Sequence, residues 1–171
     1  IVGRPRLAPN STFWFGTDAL GRDIFSRVIW GARASLAVGF LSILFGGVIG
    51  TSIGIAAGYL RGKTETVLMV MMDVLLSFPA LLLALAIVNF TDSKTVLTVS
   101  IALGIVAIAP TSRLVRANAL IYGQREFVTA ARSLGASNMR ILRREILPNI
   151  IPPLLSFSII AIAVAIVAEG G

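Results

Sequence analysis

Four stretches of this chain contain no charged residue: 34–60, 74–91, 95–112 and 146–168. A helix that crosses a bilayer needs about 20 mainly apolar residues. The first and last stretches meet that outright, and the middle two meet it once their polar ends reach the interface. The second span is expected to begin near Val67, which places Asp73 inside it. The reading is an all-α, polytopic transmembrane helical bundle with four spans, at about 35–58, 67–90, 95–115 and 150–168.

Composition supports this. Apolar residues make up 56% and charged residues 13%, far from the balance of a soluble domain. There is no cysteine and no histidine, so disulfides, thiolate chemistry and histidine-based metal or acid–base sites are excluded. The net charge of +7 does not indicate nucleic acid, because the charges sit between apolar runs without interleaved aromatics. The chain starts at Ile1 with no visible signal peptide and ends on Glu169-Gly170-Gly171 directly after an apolar run. A fragment of a longer membrane protein is the expectation.

Orientation follows from the connections. Between Arg113 and Pro148 lie seven arginines (Arg113, Arg116, Arg125, Arg132, Arg140, Arg143, Arg144) against Glu126 and Glu145, net +5. That segment should be cytoplasmic. The 61–65 link is then inside, and the neutral 91–94 link is outside. Residues 1–33 also fall outside, although five arginines against two aspartates make them net +3, in conflict with the same rule. The expected division is an extracytoplasmic segment 1–33 and a transmembrane domain 34–171 that carries the cytoplasmic loop 113–148.

Within the spans, Gly46, Gly50, Gly54 and Gly58 recur every fourth residue and line one helix face. Such a face lets another helix approach closely; ordinary packing is the simpler reading, and a sliding surface the sharper one. Asp73 is a carboxylate at membrane depth, a type of residue that faces a bundle interior or a water-filled path. Its alternative role is an interfacial pair with Arg61 or Lys63. Pro79 should kink that helix, so Asp73 and Pro79 are candidate pathway residues. Pro110, Pro152 and Pro153 read as boundary markers. Ala57–Thr64 matches a loose phosphate-loop pattern, but the run before it is too long for the required strand, so nucleotide binding there is rejected.

The arginine-rich loop should hold two short amphipathic helices. Phe127, Ala131 and Leu134 share a face of the first, and Gly135 is its stop. Ser137 is a plausible cap for the second, which has Met139, Leu142 and Ile146 on one side and Arg140, Arg143 and Arg144 on the other. Ala130-Ala131 beside the turn would permit close approach by a partner. The plain alternative is a basic helix that grips anionic lipid.

Thr129-Ala130-Ala131, then Gly135, then Leu147-Pro148 resemble the coupling loop of permease subunits of ATP-binding-cassette importers. The string Phe127–Ser137 resembles the dipeptide/oligopeptide/nickel branch of these binding-protein-dependent inner-membrane components, C-type subunit. Gly16-Thr17-Asp18, Leu20–Arg27, Gly31-Ala32-Arg33 and Asp73–Leu85 agree with it. The resemblance covers nearly the whole chain from Gly16. It implies the type I importer permease fold, with about four of an expected six spans present, in a bacterial or archaeal cytoplasmic (inner) membrane. It implies that Thr129, Ala130, Ala131, Leu134, Gly135, Ala136 and Arg140 dock an ATPase. The implied partners are a second homologous permease subunit, two ATPase subunits and an extracytoplasmic solute-binding protein. No cofactor, metal or catalytic residue is implied in this chain, since ATP and Mg are held by the ATPases. Two positions depart from the pattern: Thr129 replaces the motif's leading glutamate, and Glu145 stands where a histidine is common. The function implied is a transport subunit, not an enzyme, forming half of a path for peptides or a related small solute such as a nickel complex. The reading from another class is a secondary transporter or channel fragment that uses Asp73 as an ion or proton site.

Overall fold

The computed structural model describes residues 3–91 and 95–170. Among these residues seven α-helices follow one another: α1 (Ile24–Leu60), α2 (Gly62–Ser77), α3 (Ala80–Asn89), α4 (Val96–Tyr122), α5 (Glu126–Ser133), α6 (Asn138–Ile141) and α7 (Leu147–Gly170). A π-helical turn, Leu142–Ile146, joins α6 to α7. Among the described residues, three helices are long and apolar enough to cross a membrane: Ile24–Leu60, Val96–Tyr122 and Asn138–Glu169. The pair α2 and α3 passes the same test only as a broken span, bent by 84°. Most of the 91–94 link lies outside the described residues.

The boundaries differ from the sequence expectations for physical reasons. The kink expected at Pro79 is a full break of the 67–90 span at Phe78-Pro79, where Pro79 lacks an N–H and Phe78 is extended. The 61–65 link shrinks to Arg61, since α2 begins at Gly62. Both residues take positive φ, 53° and 60°, to turn the chain. Ala57–Thr64 is split between α1 and α2, with helix and no strand directly before it, so the phosphate-loop pattern has no structural basis. Pro110, Pro152 and Pro153 are inside helices, not at their boundaries. Helix α4 also runs on to Tyr122, carrying Arg113 and Arg116 out of the loop.

The chain forms two compact units, Ile1–Ala37 and Val38–Gly171. In the first, Thr17 and Asp23 form an isolated bridge. Thr17 Oγ1 accepts from the Leu7 amide at 2.8 Å and donates to the Arg4 carbonyl at 2.5 Å. Asp18 accepts from the Leu20 and Arg22 amides and pairs with the Arg22 and Arg27 guanidiniums. The Arg22 backbone N–H is the main reason its carboxyl sits low, at about 2, with Leu20 and the Arg22 side chain adding to it against some desolvation. Asp23 starts α1 early, ten residues before the uncharged run. Its carboxylate accepts from the Ser26 hydroxyl at 2.6 Å and the Phe25 amide at 3.2 Å, and the Ser26 bond chiefly lowers its pKa.

In the second unit the glycine stripe of α1 lies on α4. A Cβ at Gly46 would come within 2.4 Å of the Gly104 carbonyl oxygen. At Gly50 it would meet the Ile108 oxygen at 2.7 Å, at Gly54 the Ser112 oxygen at 2.5 Å, and at Gly58 the Ala119 Cβ at 2.7 Å. Backbone meets backbone along the whole contact, which is how small residues drive helix association in lipid. Buried Ser42, Ser100, Thr111 and Ser112 return their hydroxyls to carbonyls of their own helices, so close packing leaves none of these four unpaired. Met72 of α2 packs with Ile108 and Ala109 of α4 to complete this core.

Candidate coupling surface

The seven arginines divide by location. Arg116 Nε donates to Glu65 Oε1 at 2.7 Å, and a second guanidinium nitrogen pairs with the same oxygen. Arg113 Nη2 donates to Asp73 Oδ1 at 2.5 Å. These two arginines therefore tie α4 to α2, and Asp73 pairs with Arg113, not with Arg61 or Lys63. The other five are exposed and surround the turn between α5 and α6.

A buried cluster anchors that turn: Val115 and Ala119 of α4, Val128 of α5, Ile141 of α6, Ile146 and Ile150. Val128 is the inward residue of α5. The residues expected to share one face divide, since Phe127 and Leu134 are exposed, Leu134 by 88%, while Ala131 packs on the cluster. Ala131 and Ala136, expected to offer surface to a partner, are half-buried and pack one side against the cluster. Thr129, Ala130, Leu134, Gly135 and Arg140 do face outward.

Gly135 terminates α5 with φ +78°. The Ala136 amide donates to the Ala131 carbonyl at 3.0 Å, and the Gly135 amide to the Arg132 carbonyl at 3.0 Å. This pair of bonds is a Schellman motif, which satisfies the last helical carbonyls and reverses the chain. A Cβ on Gly135 would meet nothing within 4 Å, so backbone conformation alone requires glycine there. Ser137 occupies the cap position of α6 through its backbone, accepting from the Ile141 amide at 3.0 Å; its hydroxyl makes no capping bond.

The second amphipathic face also needs correction, because Met139 is exposed and Ile141 is buried. In an uninterrupted α-helix the residue above Ile141 is Glu145. The π turn, in which the Leu147 amide reaches the Leu142 carbonyl, adds one residue and brings Ile146 inward. Asn149 Nδ2 donates to the Glu145 carbonyl at 2.6 Å, beside Pro148, which has no N–H to give. No break separates α6 from the last span, and Asn138–Glu169 runs as one helix. Tyr59 Oη donates to Asn138 Oδ1 at 2.7 Å, which also fastens the end of α1 to the loop. Val128, Tyr59 and Asn138 were not singled out by sequence pattern. The Phe127-Val128 order alone does not say which of the two turns inward.

The architecture is that of a multi-pass membrane protein: a helical bundle with a bent span and an exposed helical turn backed by a buried cluster on its basic side. The chain belongs to the family described as binding-protein-dependent transport system inner membrane component, whose model matches residues 50–169. It is 42% identical over 159 residues to a glutathione transport system permease protein, GsiD, of Pectobacterium atrosepticum, covering 93% of this chain and 52% of that protein. It is 44% identical over 160 residues to the protein of the same name from Escherichia coli O6:K15:H31, covering 94% and 52%. The chain thus spans about half the length of the curated relatives it matches. A solved structure titled as that of an amino acid ABC transporter with histidines superposes with TM-score 0.60 at 22% identity, covering 86% of this chain and 76% of that one. That likeness concerns the fold. The chain is thus a multi-pass member of this family of inner-membrane transport components.

Proposed function

We propose that this chain is part of a permease subunit of an ATP-driven importer for small peptides of the size of glutathione. On this reading it forms half of the translocation path with a second permease subunit. Two ATPase subunits holding ATP and Mg dock on the α5–α6 turn, and an extracytoplasmic binding protein delivers the solute. The observation that carries the reading is the turn itself. Leu134 stands almost fully exposed beside Thr129 and Ala130, on a Schellman turn whose inner side is buried against α4 and α7. An isolated lipid-gripping helix needs no such backing. The apolar tip fits a cleft in a soluble partner, and the rigid base suits a lever that passes motion to the spans.

The test is L134D in the assembled transporter. The substitution adds charge at an exposed position and leaves the buried cluster alone. Solute uptake should fall by more than tenfold while the subunit still inserts and ATP hydrolysis no longer responds to loaded binding protein. Full uptake by L134D would sink the docking claim. The reading of Asp73 as an ion or proton site is less well supported, because its carboxylate already pairs with Arg113.

A further inference from the structure

We propose that the segment preceding the uncharged run of α1 is an interfacial anchor that binds anionic phospholipid headgroups in the leaflet where α1 enters the bilayer. Both tryptophans of the chain, Trp14 and Trp30, lie in this segment, and both are about two-thirds exposed. Their exposure is not a sign of looseness. Trp14 packs on Phe25 with ring centroids 5.1 Å apart, and Phe15 meets the same ring edge-on at 5.4 Å. Phe25 in turn sits in the first turn of α1, fixed by the Asp23 cap. The result is a firmly held aromatic group with its outer faces uncovered, and Leu20 is exposed in the same unit.

The charges point to a lipid surface. Asp18 neutralises Arg22 and Arg27 at close range. Arg4 and Arg6 are exposed, with no carboxylate partner among the described residues. The Arg33 guanidinium lies 5.8 Å from the centre of the Trp30 ring, and the uncharged run begins at the next residue. Trp30 is therefore one helical turn from the apolar stretch, where an indole can place its ring among acyl chains and its N–H among headgroups. Arginines beside it can meet phosphate. A segment built for water would not hold both tryptophans outward in a unit whose Arg4 and Arg6 have no carboxylate partner among the described residues. The net +3 that offends the charge rule for spans has a use here, since it is drawn to anionic headgroups.

Because the chain has no other tryptophan, its intrinsic fluorescence reports on this segment alone. The 171-residue chain would be reconstituted into bilayers of phosphatidylcholine, or of phosphatidylcholine and phosphatidylglycerol in equal parts, each with acyl chains brominated near the headgroup. W14F and W30F separate the two reporters, and far-UV circular dichroism checks that each variant keeps its helices. Quenching by brominated lipid should be strong, should increase with phosphatidylglycerol, and should be accompanied by weak quenching by aqueous acrylamide. R4Q/R6Q should lower the preference for the anionic bilayer by about fivefold per arginine. Strong acrylamide quenching with no effect of brominated lipid would overturn the proposal and leave the segment free for a soluble partner. Equal lipid quenching in both bilayers, unaltered by R4Q/R6Q, would overturn the assignment to anionic headgroups.

Discussion

Gly135 and Gly46 are both required to be glycine, for opposite reasons. Gly135 has open space around it and a positive φ. G135A should therefore fold, with the turn weakened by about 1–2 kcal/mol. The loss is readable as faster hydrogen exchange at the Ala136 amide, the donor that closes the turn. Gly46 has ordinary helical geometry but no room, its missing Cβ being 2.4 Å from a backbone oxygen. G46A should force α1 from α4 at a cost of about 1–3 kcal/mol. G47A, next to it with nothing within 4 Å, should be tolerated. Thermal unfolding in detergent distinguishes the two, and equal midpoints would contradict the stripe's role.

Two carboxylates offer residue-scale tests of a different kind. Asp18 has its pKa lowered from 3.8 to about 2 by the N-terminal fold. A lowered carboxylate pKa means its stabilisation is complete above about 4 and disappears as pH falls toward 2. Trp14 and Trp30 emission should therefore change over that window, and D18N should show the altered emission already at neutral pH. Asp73, by contrast, acts by holding α2 against α4. D73N leaves Arg113 without a partner and should cost at most about 3 kcal/mol. The exchanged pair D73R/R113D should recover much of it. If D73N kept its thermal stability yet abolished uptake, the ion-pathway reading would regain ground.

At the scale of elements, the readable parts were those dictated by one local rule. Absence of charge located the spans, and glycine at the right offset located the end of α5. Legibility failed where a tertiary partner overrode the local signal. Arg113 and Arg116 looked like loop residues because they are charged, yet α4 continues through them because Glu65 and Asp73 receive their guanidiniums. The facing of Phe127 and Val128 depended on Val115 and Ala119, fixed only by packing. The face of α6 was misassigned because a uniform helical period was applied across Leu142–Ile146, where the backbone takes an extra residue. That gives an element-scale prediction. Deleting Arg143 turns the π turn into α-helix and leaves Ile141 and the present Ile146 four residues apart on one face, so stability in detergent should be largely kept. Deleting Ala117 from α4 rotates Val115 against Ala119 by about 100° and should abolish folding.

For the molecule as a whole, the large exposed apolar side chains of α2, α3 and α7 are those of a bundle whose surroundings are lipid or neighbouring subunits rather than water. Recognition of the branch was legible because three separated motifs appear in order. What the chain transports was not, since on the proposed reading the path is shared with a second subunit and part of its lining lies outside this sequence.

The α1–α4 contact has a mechanical consequence. Its close approaches recur every four residues from Gly46 to Gly58, about 18 Å along the helix. Such a surface is notched. A slip of α1 by less than one notch, about 6 Å, drives side chains into backbone oxygens. Thermal agitation and small pushes therefore cannot shear the two helices past each other. Val115 and Ala119 of α4 also carry the α5–α6 turn, and Tyr59 of α1 holds Asn138, the first residue of α6. On the proposed reading, a force delivered at Leu134 would therefore bear on α1 and α4 together, and the break at Phe78-Pro79 would be left to yield.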